Sequence, residues 1–149
     1  MIRGNRRGLT ASETLLVAAV VAAVALMLAW RYIGEPGEDA RRITLRRMSV
    51  VMDGLETYAI DNGGNFPTAE QGLQALVARP TVDPPVRWRG PYVESEDVFV
   101  DGWGVPLSYV SPSSEGRPYD LWSNGADRAE GGEGANADMQ SWNRSTLLP

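Results

Sequence analysis

The feature that most restricts this chain is the apolar run over residues 15–30, preceded by Glu13, Gly8 and a leader bearing Arg3, Arg6 and Arg7. A helix needs roughly 20 apolar residues to cross a hydrocarbon core, and extending the run through residues 9–14 and 32–33 meets that length. A secretory signal is cut after its apolar region, whereas here a glycine closes a short basic leader before that region begins. This order predicts a precursor that loses residues 1–8 and keeps a membrane-spanning helix over residues 9–33. Charge does not orient that helix, because Arg31 near its C-terminal end and Arg41, Arg42, Arg46 and Arg47 beyond it balance the leader arginines that precede it.

Residues 34–149, beyond the apolar segment, suffice for one modest domain. The chain holds no cysteine and no histidine, which removes disulfides, thiol catalysis, Cys/His zinc sites and a histidine base. Every positive charge is arginine, so a lysine to activate a serine is missing as well. The acidic group Glu94, Glu96 and Asp97 reads as a solvated face, and no enzyme is expected. The net charge of −5 becomes more negative once the arginine leader is lost, so a nucleic-acid partner is not expected either.

Residues 34–37, with Pro36 between glycines, break the first helix; residues 38–61 then resume a helical pattern. Met48, Val51, Met52, Leu55, Tyr58 and Ala59 recur at three- and four-residue steps, which is one buried stripe. Asp61, Asn62, Gly63 and Gly64, with Pro67 after them, end that helix. Thr68 to Gln71 has capping-box spacing and predicts a short helix over residues 68–78. Strand signals lie at residues 98–100, 105–110 and 119–122. The fold class is α+β: a long helix packed on a small antiparallel sheet, with a loop-rich C-terminal region.

Residues 124–143 are rich in glycine, alanine and acids, and Trp142 at their far end predicts that this loop is docked back on the domain. Asp127, Glu130, Glu133, Asn136 and Asp138 are hard oxygen donors of the kind calcium takes, without EF-hand spacing. Residue types alone favour a solvated acidic loop over a metal site.

Several segments resemble one known family. Gly8-Leu9-Thr10-Ala11-Ser12-Glu13 resembles the prepilin peptidase site of type IV pilin-like proteins, with cleavage after Gly8. The stretches at residues 58–76, 101–106 and 119–127 are similar, in the same order, to segments of the major pseudopilins of type II secretion systems. The match departs at Leu9, where the family most often has phenylalanine, and at Trp30, where it often has proline.

The resemblance implies a pilin-like fold and a structural subunit in the bacterial inner membrane with its C-terminal domain in the periplasm. It implies cleavage and N-methylation by a prepilin peptidase, then homopolymerisation through the N-terminal helix into a short fibre that helps export folded proteins. Other pseudopilins, a platform protein and an assembly ATPase are the partners it implies. Glu13 is implied to pair with the new α-amine of Leu9 on a neighbour, which would offset the cost of a carboxylate entering hydrocarbon; by position alone it reads equally as a helix N-terminal acid. The family also carries calcium in the acidic loop, matching Asp127 and Asp138 here, with Asn136 or Glu133 as a substitute ligand. A surface pilin, a minor pseudopilin and a non-polymerising tethered calcium-binding module are the alternatives.

Overall fold

A computed structural model describes residues 11–32 and 37–147, which fall in two units divided after Pro36. Gly8, Leu9 and Pro36 lie outside the described residues. The first unit contains helix α1, Ala11–Tyr32, whose 22 residues span about 33 Å at ~1.5 Å per residue. Its window over Ala11–Leu28 has a mean hydropathy of 2.2 and none of it is buried within the chain. Leu15, Val21 and Met27 are all more than half exposed, so α1 has the composition and length to cross a membrane once.

The second unit opens with helix α2, Glu38–Asp61, the range its periodicity predicts. Met48, Val51, Leu55, Tyr58 and Ala59 are buried, and Met52 packs against them partly exposed. Each large aliphatic side chain among them gains about 1.5–3 kcal/mol from leaving water, offset by its share of chain entropy. Thr44 is also fully buried, and its hydroxyl donates to the Ala40 carbonyl at 2.9 Å. Helix α2 ends where the N–H groups of Asn62 and Gly64 return to the Ala59 carbonyl.

Beyond α2 the expected short helix shrinks to a 3-10 turn, Leu73–Leu76. The Thr68 N–H donates to Gln71 Oε1 and the Gln71 N–H to Thr68 Oγ at 3.0 and 3.2 Å, so the capping box forms. It does not start an α-helix, because Gln71 also donates to the carbonyls of Val82 and Asp83 and Gly72 then takes a φ of 61°.

The sheet has three antiparallel strands in the order β1 (Ser108–Val110), β2 (Asp120–Ser123), β3 (Met139–Gln140). Residues 98–100 are not a strand: Glu96–Phe99 is a 3-10 turn and Val100 only bridges to Pro106. Residues 105–107 stay outside β1, since Val105 faces Asp101 across a tight turn and not a partner strand. β3 carries no alternation long enough to read in sequence. The core forms where α2 covers the sheet, with Leu121 and Met139 at 0% exposure meeting Met48, Leu55 and Leu76. A short helix, α3 (Arg144–Leu147), comes last, and the architecture is α+β as expected.

Candidate functional site

The acidic loop between β2 and β3 leaves the sheet at a buried carboxylate. Asp101, 2% exposed, accepts the N–H groups of Trp103 and Val105 on Oδ1 and the Ser123 hydroxyl on Oδ2 at 2.7 Å. Ser123 Oγ in turn accepts the Gly125 N–H, so the first residues of the loop hang on Asp101. The loop neck closes where the Ala126 N–H donates to the Ala135 carbonyl at 3.0 Å. Within it, Gly132 has a φ of 85°, and a Cβ there would lie 2.6 Å from the Asn136 carbonyl oxygen. The loop thus folds tightly around the main chain of Asn136, and its Ala135 side chain packs on Gly37 at the start of α2.

Asp138 sits at the exit of this loop. Its Oδ2 accepts the Gly131 N–H at 2.9 Å, while Oδ1 is buried with no partner among the described residues. A buried anion oxygen left unpaired costs about 1–3 kcal/mol or more. Asp127 is exposed at the loop entry, its Oδ1 accepting the Ala129 N–H. Glu133 is exposed and precedes the 3-10 turn Gly134–Asn136 without capping it by its side chain. Asn136 is itself exposed, and it is this residue's carbonyl that the loop encloses. No three acidic side chains converge among the described residues, so a cation here would take main-chain oxygens as well. Glu13 lies in the first turn of α1, where the helix dipole favours an acid.

The far side of the loop is held as Trp142 predicts. Its ring lies 6.2 Å from that of Trp122 in an edge contact, and the Arg117 guanidinium stacks 4.8 Å above it. Arg117 also grips Asp120 through Nε and Nη2, at 2.7 and 3.1 Å, and the Ser113 hydroxyl adds a third donor at 2.6 Å. The Arg117 hydrogen bonds hold the Asp120 carboxyl below the usual carboxylate range, outweighing the upward push of burial. The unfolded chain therefore takes up this proton first as pH falls. The stabilisation is present above about pH 4 and disappears as pH drops through the native pKa. Asp120→Asn is expected to lower Tm at neutral pH and to flatten the fall of Tm in acid, a comparison that thermal scans from about pH 6 to 3 will read.

Sequence reasoning does not single out Asp101 or Asp120 as site residues. Asp101 opens one of the segments that resemble the pseudopilins and Asp120 lies in another, but nothing in their spacing announces burial.

An apolar helix fit to span a membrane, and a second unit in which a long helix covers a small antiparallel sheet with a long C-terminal loop, define a pilin-like subunit. The family model described as Type II secretion system (T2SS), protein G, matches residues 31–142. The Type II secretion system core protein G of Pseudomonas aeruginosa is 32% identical over 144 residues, covering 95% of this chain and 99% of that protein. Its namesake in Vibrio cholerae is 32% identical over 140 residues, covering 93% of each. The crystal structure of the major pseudopilin from the type 2 secretion system of enterohaemorrhagic Escherichia coli superposes with a TM-score of 0.59. That match has 28% identity and covers 74% of this chain and 93% of that one. The chain belongs to the protein G family of type II secretion systems, the major pseudopilins.

Proposed function

We propose that this chain is the repeating structural subunit of a periplasmic pseudopilus, cut after Gly8 and polymerised through its N-terminal helix to help export folded proteins across the outer membrane. The observation that carries the reading is the family match over residues 31–142 joined to one spanning-length apolar helix ahead of it. Inner-membrane insertion with the second unit in the periplasm accompanies that role. So does dependence on a prepilin peptidase, other pseudopilins, a platform protein and an assembly ATPase. Glu13 would take the Leu9 α-amine of a neighbour as its partner in the fibre, which selects one stagger of the helices. Mass spectrometry of membrane-extracted protein is expected to find a chain starting at an N-methylated Leu9; an intact Met1 would overturn the reading. Glu13→Ala is expected to be processed normally and to form no fibres on overexpression.

Calcium in the acidic loop is part of the same reading. Asp138 and Asp127 would hold it together with main-chain oxygens, with Asn136 or Glu133 completing the set. The ion supplies the positive charge that the buried Asp138 Oδ1 lacks. Asp138 is already oriented by the Gly131 N–H, and the closed neck at Ala126 and Ala135 reduces the ordering the loop would otherwise undergo. Calcium at about 100 times its Kd is expected to stabilise the wild-type chain by about 2.7 kcal/mol. In Asp138→Ala, neither calcium nor a chelator should move Tm; an unchanged calcium response in that variant removes the site.

A further inference from the structure

The first turn of α2 has little to hold it among its own residues. Gly37 stands at the N-cap position with a φ of 99° and no side chain to accept the free N–H groups of the turn. Glu38 and Asp39 suit the helix dipole, but both are exposed, where salt and solvent screen that effect. Three distant segments cover the turn instead. A Cβ at Gly37 would lie 2.6 Å from Ala135 Cβ, so the acidic loop rests on the start of the helix. The Gly102 N–H donates to Thr44 Oγ at 2.8 Å. Arg41 Nη2 donates to the Thr146 carbonyl in α3 at 3.1 Å.

Each of these contacts is tied to a different part of the acidic loop. Ala135 lies within it, and its carbonyl closes the neck by accepting the Ala126 N–H. The turn at Gly102 is joined to the loop entry, because Asp101 accepts from the Ser123 hydroxyl and Ser123 Oγ accepts the Gly125 N–H. α3 is joined to the loop exit, because Thr146 Oγ accepts the Gln140 N–H at 3.1 Å, just after Asp138. We infer that the loop is a cation-operated clasp on the first turn of α2. A divalent cation held at Asp127 and Asp138 fixes the entry and the exit of the loop together and thereby holds residues 37–44, which fray more readily without it. This inference rests on the calcium reading proposed above. Coupling of this kind is reciprocal, so whatever frees the turn from the loop also weakens cation binding.

Amide hydrogen exchange of the full-length chain in detergent, with calcium or with a chelator, tests the clasp. In chelator, residues 41–44 are expected to exchange faster than Val51 and Leu55 in the core, and calcium is expected to slow them by about fivefold or more. Stabilisation of the whole unit slows amides that exchange by global unfolding and leaves a locally fraying turn unchanged, so slowing at residues 41–44 reports the coupling. Equal rates for turn and core in chelator, or slowing confined to the loop and the core, overturn the clasp and leave the calcium site standing. A wild-type chain that gives neither heat nor a rise in Tm with calcium removes the site and the clasp with it. Arg41→Met supplies an independent test. Loss of a positive charge should by Coulomb attraction alone tighten calcium binding, whereas loss of the tie to Thr146 is expected to weaken it about fivefold in calorimetric titration. Affinity unchanged or tighter in Arg41→Met overturns the clasp.

Discussion

Asp101→Ala is expected to destabilise the second unit by about 3–5 kcal/mol, because three donors lose their acceptor at once and each costs roughly 1–3 kcal/mol when buried unpaired. The Trp103 and Val105 N–H groups and the Ser123 hydroxyl all depend on this carboxylate, which is 2% exposed. The consequences reach in two directions. The turn that Asp101 closes is held to α2 by Arg47, which donates to the carbonyls of Val100 and Asp101 at 2.9 and 3.0 Å. Ser123 on β2 begins the acidic loop, so the loop loses its anchor as well. Asp101→Asn keeps an acceptor for the turn and should cost less than the alanine variant. Urea unfolding of the two variants with an unchanged m-value would give the ranking, and equal losses for both would refute the role of the retained acceptor.

Gly102→Ala is expected to be damaging for a steric reason one residue away. A Cβ at this position would lie 2.1 Å from the Ala40 carbonyl oxygen and 2.6 Å from the Ala40 Cα, and both obstacles are backbone inside α2. Neither can rotate aside. Relief requires the turn to lift from the helix, which breaks the 2.8 Å hydrogen bond from the Gly102 N–H to Thr44 Oγ and leaves a buried hydroxyl with one partner fewer. Overpacking of this kind costs typically about 1–3 kcal/mol, and the lost bond adds about 1 kcal/mol. The same unfolding measurement applies; a loss below about 1 kcal/mol would mean that the turn moves more freely than this packing implies. Paired with Asp101→Ala the two effects should fall short of additivity, since both free the same turn from the same helix.

The contrast between these residues and the helices explains which parts of the molecule are legible in its sequence. α2 can be drawn to its end residues because its stripe from Met48 to Ala59 repeats with the helical period, and Asn62 and Gly64 stop it with local hydrogen bonds. Trp142 can be placed on the domain because a large aromatic after a polar loop has few other uses. The strand signals run longer and begin earlier than the strands themselves. Val98 and Val100 have strand-forming side chains, but the capping of residues 96–99 by Ser95 and the turn closed by Asp101 take their backbone elsewhere. β3 is two residues long and exists because Ser123 and Trp122 offer it a paired edge. In the acidic loop, Asp127 and Asp138 are identifiable as oxygen donors, yet their environments differ. Asp127 is exposed, whereas Asp138 has one oxygen buried and without a partner among the described residues.

What the chain determined by itself was whatever depends on neighbours along the sequence: the apolar helix, the period and termination of α2, and the order of segments that marks a major pseudopilin. Tertiary structure alone decided which acids are buried, where the sheet has its third strand, and how closely the turn at Gly102 presses on Ala40. The physical reason is that periodicity and capping are satisfied within one or two helical turns. Desolvation of a carboxylate and the closeness of two backbones are set by groups far apart in the chain, as Asp101 is from Ser123 and Gly102 from Thr44.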